Sequence, residues 1–146
     1  MTRIEDSVVV DAPVHAVFNY AADWRSWPDW FEGVSDMRPT SHVTRGTGAR
    51  YAYRARLLGV VADIETEVQE FVENHGWTGV ATQGLVHRTH WQFEANGRST
   101  RFTYALEYRL PSPLPGAFIV KREWRRVIRK SLANLQAHFR REPTWR

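Results

Sequence analysis

The sequence predicts an α+β fold in which a curved antiparallel β-sheet of about seven strands wraps around a long C-terminal α-helix. Three observations predict it. Residues 34–109 alternate apolar and polar side chains between recurring turn signals. Residues 117–140 switch to a helical period. A β-branched run and two short helical stretches precede both.

The first strand is expected from Ile4 to Asp11, on the strength of Val8, Val9 and Val10. Asp11 and Pro13 then open a short helix, with Pro13 in its first turn and Asp11 capping nearby donors. Val14, Val17, Phe18 and Ala21 share one face of it. Asp23 to Phe31, interrupted by Pro28, reads as one or two broken helical turns ending at Gly33. Trp24, Trp27 and Trp30 are spaced so that their rings lie on one side. That cluster suits a pocket lid, an exposed contact patch, or a staple fixing the short helices to the sheet edge.

Turns are expected at Gly46-Thr47-Gly48, Gly59, Asn74-His75-Gly76, Gly84 and Asn96-Gly97, the last a type I′ hairpin pair. Phe102, Tyr104, Leu106 and Tyr108 alternate with Arg101, Thr103, Glu107 and Arg109, broken only by Ala105. Thr89, Trp91 and Phe93 alternate in the same way with Arg88, His90, Gln92 and Glu94. About six consecutive strands follow, joined as an antiparallel meander. Pro111, Pro113 and Pro115 stop the last strand. In the final helix, Ala117, Val120, Trp124, Val127 with Ile128, Ser131, Leu135 and Phe139 form one stripe. Lys121, Arg122, Arg125, Arg126, Arg129 and Lys130 lie largely opposite it. Such a helix runs on the order of 35 Å, enough to cross the sheet.

A chain of 146 residues is expected to form a single domain, residues 1–146. The absence of cysteine excludes disulfides, thiolate metal sites and a cysteine nucleophile. The sequence offers neither a signal-peptide core nor the roughly 20 apolar residues of a membrane span, so a soluble, cytoplasmic protein is expected. The net charge of +4 conceals a gradient: −4 over residues 1–41, +1 over 42–120 and +7 over 121–146. The basic segment is either a solvated helix face or an attractor for an acidic partner.

The order of strand, two short helices, six strands and long helix resembles the helix-grip fold. Ser7 to Phe18, a valine-rich strand followed by an Ala-Pro turn and a helix with Val and Phe, resembles the opening of the START/Bet v 1-like (SRPBCC) superfamily. Asp23 with Trp27-Pro28-Asp29-Trp30 and Gly33-Val34 is similar to the second-helix signature of its polyketide cyclase/dehydrase-like branch. Gly46-Thr47-Gly48, Gly97 to Arg101 and Ser131 to Leu135 fit the same branch, so the resemblance covers nearly the whole chain. It implies a cavity between the concave sheet face and the C-terminal helix, holding a small hydrophobic ligand. No catalytic residue carries over from it.

If one face of each strand points to that cavity, its lining candidates are Tyr51, Tyr53, Trp91, Phe93, Phe102, Tyr104 and Tyr108. Trp124 and Ile128 close it from the helix. Each ring can equally be ordinary core. His87 shares the inward parity of Thr89 and Trp91 and is the leading acid/base candidate, whereas His90 points to the opposite face. Arg54 and Arg56 share a strand face, and an inward arginine such as Arg54 would suit a carboxylate or enolate. Asp63, Glu65 and Glu67 read as a solvated outer face. The histidines are too scattered for a metal site, and no cofactor is expected.

The leading functional reading is a binding module for a hydrophobic or aromatic molecule, lipid- or polyketide-like. The second is a polyketide cyclase/aromatase or dehydratase, in which His87, Arg54 and tyrosines such as Tyr104 act on a poly-ketone chain. Its basic helix face would meet an acidic acyl carrier protein. A nucleic-acid module is the weakest reading, because the basic stripe carries no interleaved aromatics and no reader motif. The sequence leaves the oligomeric state open.

Overall fold

A computed structural model describes residues 2–110 and 116–141. Pro111, Pro113 and Pro115 therefore lie outside the described residues. The chain runs β1 (Thr2–Val10), α1 (Val14–Ala22), a 3₁₀ turn (Trp24–Ser26), α2 (Trp27–Trp30), β2 (Val34–Pro39), β3 (Arg50–Leu57), β4 (Val60–Val72), β5 (Gly76–Gln83), β6 (His87–Asn96), β7 (Ser99–Tyr108) and α3 (Ala117–Arg141). The strands form one antiparallel sheet in the order β1-β7-β6-β5-β4-β3-β2. This is the helix-grip arrangement: β2 to β7 are a pure meander, and β1 returns to pair with β7 in the register Val8↔Phe102.

Curvature has a local cause. An extra residue in one strand of a pair bends it and increases its twist. The β4–β5 ladder shifts register at Glu65/Thr66 and again at Gln69/Val72, with Glu70 at φ 53°. The β2–β3 ladder shifts between Ser35 and Arg38, where Asp36 has φ 54°. The bent sheet cups α3.

Three polar groups fix the layers to one another. Ser131 Oγ of α3 accepts the Glu32 N–H at 2.9 Å and donates to the Val127 carbonyl at 2.7 Å. Asn134 Nδ2 donates to the Trp30 carbonyl at 3.1 Å. Thr100 Oγ1, fully buried, donates to the Ala12 carbonyl at 2.8 Å. Ser131 and Asn134 thus join α3 to the turn after α2, and Thr100 joins β7 to the entry of α1. The tryptophans of the turn act as the staple: Trp27 donates to the Ala21 carbonyl and Trp30 to Ser26 Oγ, both rings being buried. Neither ring belongs to an exposed patch.

Two local expectations need correction. Pro13, not Asp11, is the N-cap of α1, and no side chain caps that end. The helix starts two residues beyond Asp11's reach because Pro13 is extended (ψ 155°) and its carbonyl takes the first helical N–H groups. The β6–β7 hairpin also turns on Gly97-Arg98 instead of Asn96-Gly97, since Asn96 pairs with Ser99. Gly97 has φ 64° and Arg98 is not left-handed, the pattern of a type II′ turn with glycine first.

Gly76 needs its missing side chain most. It sits at φ 151°, and a Cβ there would lie 1.9 Å from the Trp91 carbonyl oxygen. Gly76→Ala is expected to force β5 from β6 and to destabilise the protein far more than Gly59→Ala, whose Cβ would meet open space. Phe102→Ala, at a fully buried ring, is expected to cost about 3–5 kcal/mol. Urea unfolding measures all three, and equal midpoints for Gly76→Ala and Gly59→Ala would contradict this packing.

Candidate ligand-binding cavity

The space between sheet and helices has a filled end and a hollow end. At the filled end, α1 inserts Phe18, which meets Phe93 edge-on at 5.1 Å and Trp77 at 5.6 Å. Phe93 stacks on Phe102 at 4.6 Å. Three tryptophans border this cluster: Trp91 stacks on Trp77 at 4.6 Å and on Trp27 at 5.2 Å. Beyond them the inner faces of β3, β4, β6 and β7 stand clear of α3. Tyr53 and Ala55, Ile64, Thr66 and Val68, His87 and Thr89, and Tyr104 and Leu106 wall a cavity that Trp124 and Val127 close from α3. Its accessible volume is about 50 Å³, and all of its unfilled space, open solvent at the mouth included, comes to about 740 Å³. A single water needs roughly 10–15 Å³ on the same measure, so the accessible part has room for a few water-sized groups, and a larger guest extends toward the mouth.

Gly79 of β5 makes room in this wall. A Cβ there would lie 2.5 Å from Thr89 Oγ1, the atom that accepts the Trp91 indole N–H at 3.0 Å. The bare glycine lets Thr89 turn inward and hold the central tryptophan.

The polar groups of the wall are few, and apart from Glu32 and Arg56 they are neutral. His87 is 7% exposed, and its Nδ1 lies 2.7 Å from the Leu85 carbonyl oxygen. A carbonyl oxygen only accepts, so Nδ1 carries the proton and Nε2 presents a lone pair. Burial pushes the imidazole pKa below its ordinary 6.5, with the bond to Leu85 opposing part of the shift. Nε2 has no hydrogen-bond partner among the described residues. Burial raises the Tyr53 and Tyr104 phenols far above their ordinary range, and the Tyr53 hydroxyl is also bonded to Thr66. The Trp124 indole N–H is buried and unpartnered among the described residues. The arrangement can therefore donate hydrogen bonds from phenols and an indole and accept one at an imidazole. Among the described residues no cluster of three His, Cys, Asp or Glu can hold a metal.

Comparison with known proteins places this geometry. The model of a family described as "Polyketide cyclase / dehydrase and lipid transport" matches residues 1–140. The chain belongs to that family. No curated protein sequence matches it. A protein of Thermus thermophilus (TTHA0849) is 17% identical with a TM-score of 0.84, covering 97% of this chain and 99% of its own. A START superfamily protein from Mycobacterium smegmatis is 16% identical with a TM-score of 0.83, covering 95% and 97%. The di-domain ARO/CYC BexL from the BE-7585A biosynthetic pathway is 20% identical with a TM-score of 0.73, covering 94% of this chain and 46% of its own. At these identities the likeness establishes the START/Bet v 1-like helix-grip fold. No helix among the described residues is long and apolar enough to cross a membrane.

Within this family member, Tyr53, Trp91, Tyr104, Trp124 and His87 converge on the cavity. Other residues anticipated there do not line it. Phe93 and Phe102 belong to the filled end, packed on Phe18 and on each other. Tyr51 is buried against Trp24 and Trp27 and donates its hydroxyl to the Thr44 carbonyl. Tyr108, 1% exposed, sits 6.1 Å from Trp124 in the core. Ile128 faces β1 beside Ile4, and it is its neighbour Val127 that faces the cavity. Arg54 points out of the sheet between Asp36 and Asp63, each 3.4 Å away, because Tyr53 and Ala55 occupy the inner parity of β3. It offers nothing to a ligand inside. His90 is on the outer face, 2.7 Å from Glu107. Ile64, Thr66 and Val68 were legible as the complement of the outward Asp63, Glu65 and Glu67. Trp27, Phe31 and Leu85 come from the α2 turn and a loop, where no period announces them.

The buried neutral His87 has a thermodynamic consequence. Its folded pKa lies below its unfolded value, so the unfolded chain binds the extra proton first as pH falls. Stability is accordingly fully present above about pH 6.5 and declines as pH drops toward the depressed folded value. His87→Gln is expected to flatten that decline between pH 7 and 5, as followed by urea midpoints. An unchanged slope would show that the imidazole is not buried in its neutral form.

Proposed function

We propose that this chain binds a small hydrophobic or aromatic molecule in the cavity between the sheet and α3. The observation that carries the reading is a hollow walled mainly by rings and aliphatic side chains and interrupted by a few polar groups, with Glu32 and Arg56 as its charged residues. Small-molecule sites have this composition, with sparse polar groups fixing orientation and apolar walls supplying affinity. The family's description, which includes lipid transport, supports it. The reading uses no cofactor, and residues 1–146 act as one ligand-binding domain.

A second reading, a cyclase or dehydratase, is favoured by one specific observation: a neutral His87 with an unprotonated Nε2 shares the cavity with two phenols. On a poly-ketone, Nε2 would take a proton from a carbon between two carbonyls while a Tyr53 or Tyr104 O–H stabilises the enolate oxygen. The resulting carbanion would attack a second carbonyl, and the imidazolium would return its proton to the new alkoxide. Exposed Arg122, Arg125 and Arg129 on α3 are suited to an acidic acyl carrier protein delivering such a chain. The likeness to BexL points the same way.

Toluene titrated into the protein is expected to change tryptophan fluorescence saturably, because Trp27, Trp77, Trp91 and Trp124 border the cavity. Ala55→Phe, which places a ring in the hollow, is expected to raise the Kd by about tenfold or more, some 1.4 kcal/mol. Non-saturable toluene binding in the wild type would contradict the binding reading. For the enzymatic reading, His87→Gln should abolish cyclisation of a carrier-bound poly-ketone while toluene affinity stays within about twofold; full activity in that variant would exclude His87 as the base.

A further inference from the structure

Most of the exposed apolar side chains gather at one end of the molecule. Among the described residues Leu58, Val60, Val61, Val86, Phe118 and Ile119 are large, hydrophobic and open to solvent, Phe118 at 70% and Val60 at 67% exposure. They come from three separate stretches of chain that the antiparallel meander brings together. Leu58 stands in the β3–β4 turn, with Val60 and Val61 directly after it. Val86 lies between β5 and β6, its carbonyl accepting the N–H of Arg109 just past β7. Phe118 and Ile119 open α3, and Leu58 and Ile119 line one surface cleft. Apolar side chains at turn tips contribute little to the core, and a cluster of them marks a surface that something else covers.

Charge says what covers it. The same cleft is lined by Arg122, Glu123, Arg125, Arg126 and Arg129. Phe118, Arg122, Arg125 and Arg129 follow at steps of four, three and four, so they stand in one line along the outer side of α3. Residues 117–130 hold six basic groups and one acidic. That acid, Glu123, is bonded to Arg126, and Glu5 of the neighbouring β1 to Arg3. Asp6 of β1 borders Arg125 and Arg129 as well. Arg122, Arg125 and Arg129 form no ion pair among the described residues. An acidic protein would answer the arginines and leave the tips of Phe118 and Val60 in water. An anionic bilayer answers both, because its headgroups attract clustered basic side chains and its acyl boundary takes up apolar ones.

We propose that this end of the molecule docks on an anionic lipid surface. Leu58, Val60, Phe118 and Ile119 enter the interface, and Arg122, Arg125 and Arg129 meet the lipid phosphates. The docked end is also the hollow end, since Ala55, Leu85, His87 and Trp124 wall the cavity toward it. The docking does not depend on the cavity's being filled.

The chain has no cysteine, so a single label can report which end meets the lipid. Val60 and Val72, both exposed, begin and end β4, about 40 Å apart by strand rise. Val60→Cys and Val72→Cys, each carrying an environment-sensitive fluorophore, are titrated with phosphatidylcholine vesicles with and without about 30% phosphatidylserine. A saturable blue shift is expected at position 60 on the anionic vesicles and none at position 72, with affinity falling as salt rises. In the Val60 background, Arg122→Gln with Arg125→Gln should weaken binding about tenfold or more. Phe118→Ser should weaken it about threefold or more. All three positions are exposed, so urea midpoints equal to the parent's show that the variants are folded. No binding to anionic vesicles, equal shifts at both labels, or binding that ignores Phe118→Ser would overturn the proposal. Arginine-dependent binding of an acidic acyl carrier protein without vesicle binding would overturn it too, and assign the face to a protein.

Discussion

The interior depends on how the Trp91 ring is held. It stacks on Trp77 and Trp27, turns its edge toward Trp30 and Tyr104, and is pinned by the bond from its indole N–H to Thr89. One side of this ring belongs to the filled aromatic cluster and the other to the cavity. Aromatic pairs prefer offset or edge-on geometry, so a cluster built this way leaves few soft degrees of freedom. A rigid partition allows a hollow to persist beside a packed core, because the neighbouring rings cannot slide in to fill it.

The same economy governs α3. Its apolar stripe performs two tasks along its length: Leu132, Leu135 and Phe139 pack the core, whereas Trp124 and Val127 stand over the cavity. What keeps the helix from collapsing onto the sheet is polar and directional. Ser131 accepts from the Glu32 N–H, Asn134 donates to the Trp30 carbonyl, and Gln136 donates to the Val9 carbonyl at 2.8 Å. These contacts hold the helix against α2 and the β1 edge and leave its first half as a roof over the hollow.

Periodicity made the fold legible, because alternation along β6 and β7 and the helical stripe of α3 are local consequences of which face is buried. Strand parity also pointed Tyr53, His87, Trp91 and Tyr104 inward, which is where they lie. Parity carries no information about position along the sheet's inner face. Phe93 and Trp91 share a face two residues apart, yet only Trp91 borders the cavity, because α1 delivers Phe18 over Phe93. The helix phase was likewise blurred between Val127 and Ile128, which differ by one step around α3 and face different layers. Gly79 and Thr89 matter as a pair across a ladder, in the register Gly79↔Thr89, and a single strand read alone does not reveal such a pair.

The cavity's chemistry follows from exclusion as much as from composition. Arg54 and the carboxylates of β4 are turned outward by the same alternation that turns tyrosine and threonine inward, so the charges that line the site are Arg56 and Glu32. Neutral donors and one neutral acceptor in a low-dielectric hollow orient a ligand strongly, because water is not there to compete. Rings held apart in this way leave a hollow accessible to a small apolar guest. A crystal of the protein pressurised with xenon tests it most directly, since dry apolar cavities take up xenon. One strong anomalous peak is expected between Tyr53, Ile64, Leu106 and Trp124. Xenon confined to surface sites, with Trp124 folded down onto Leu106, would contradict it.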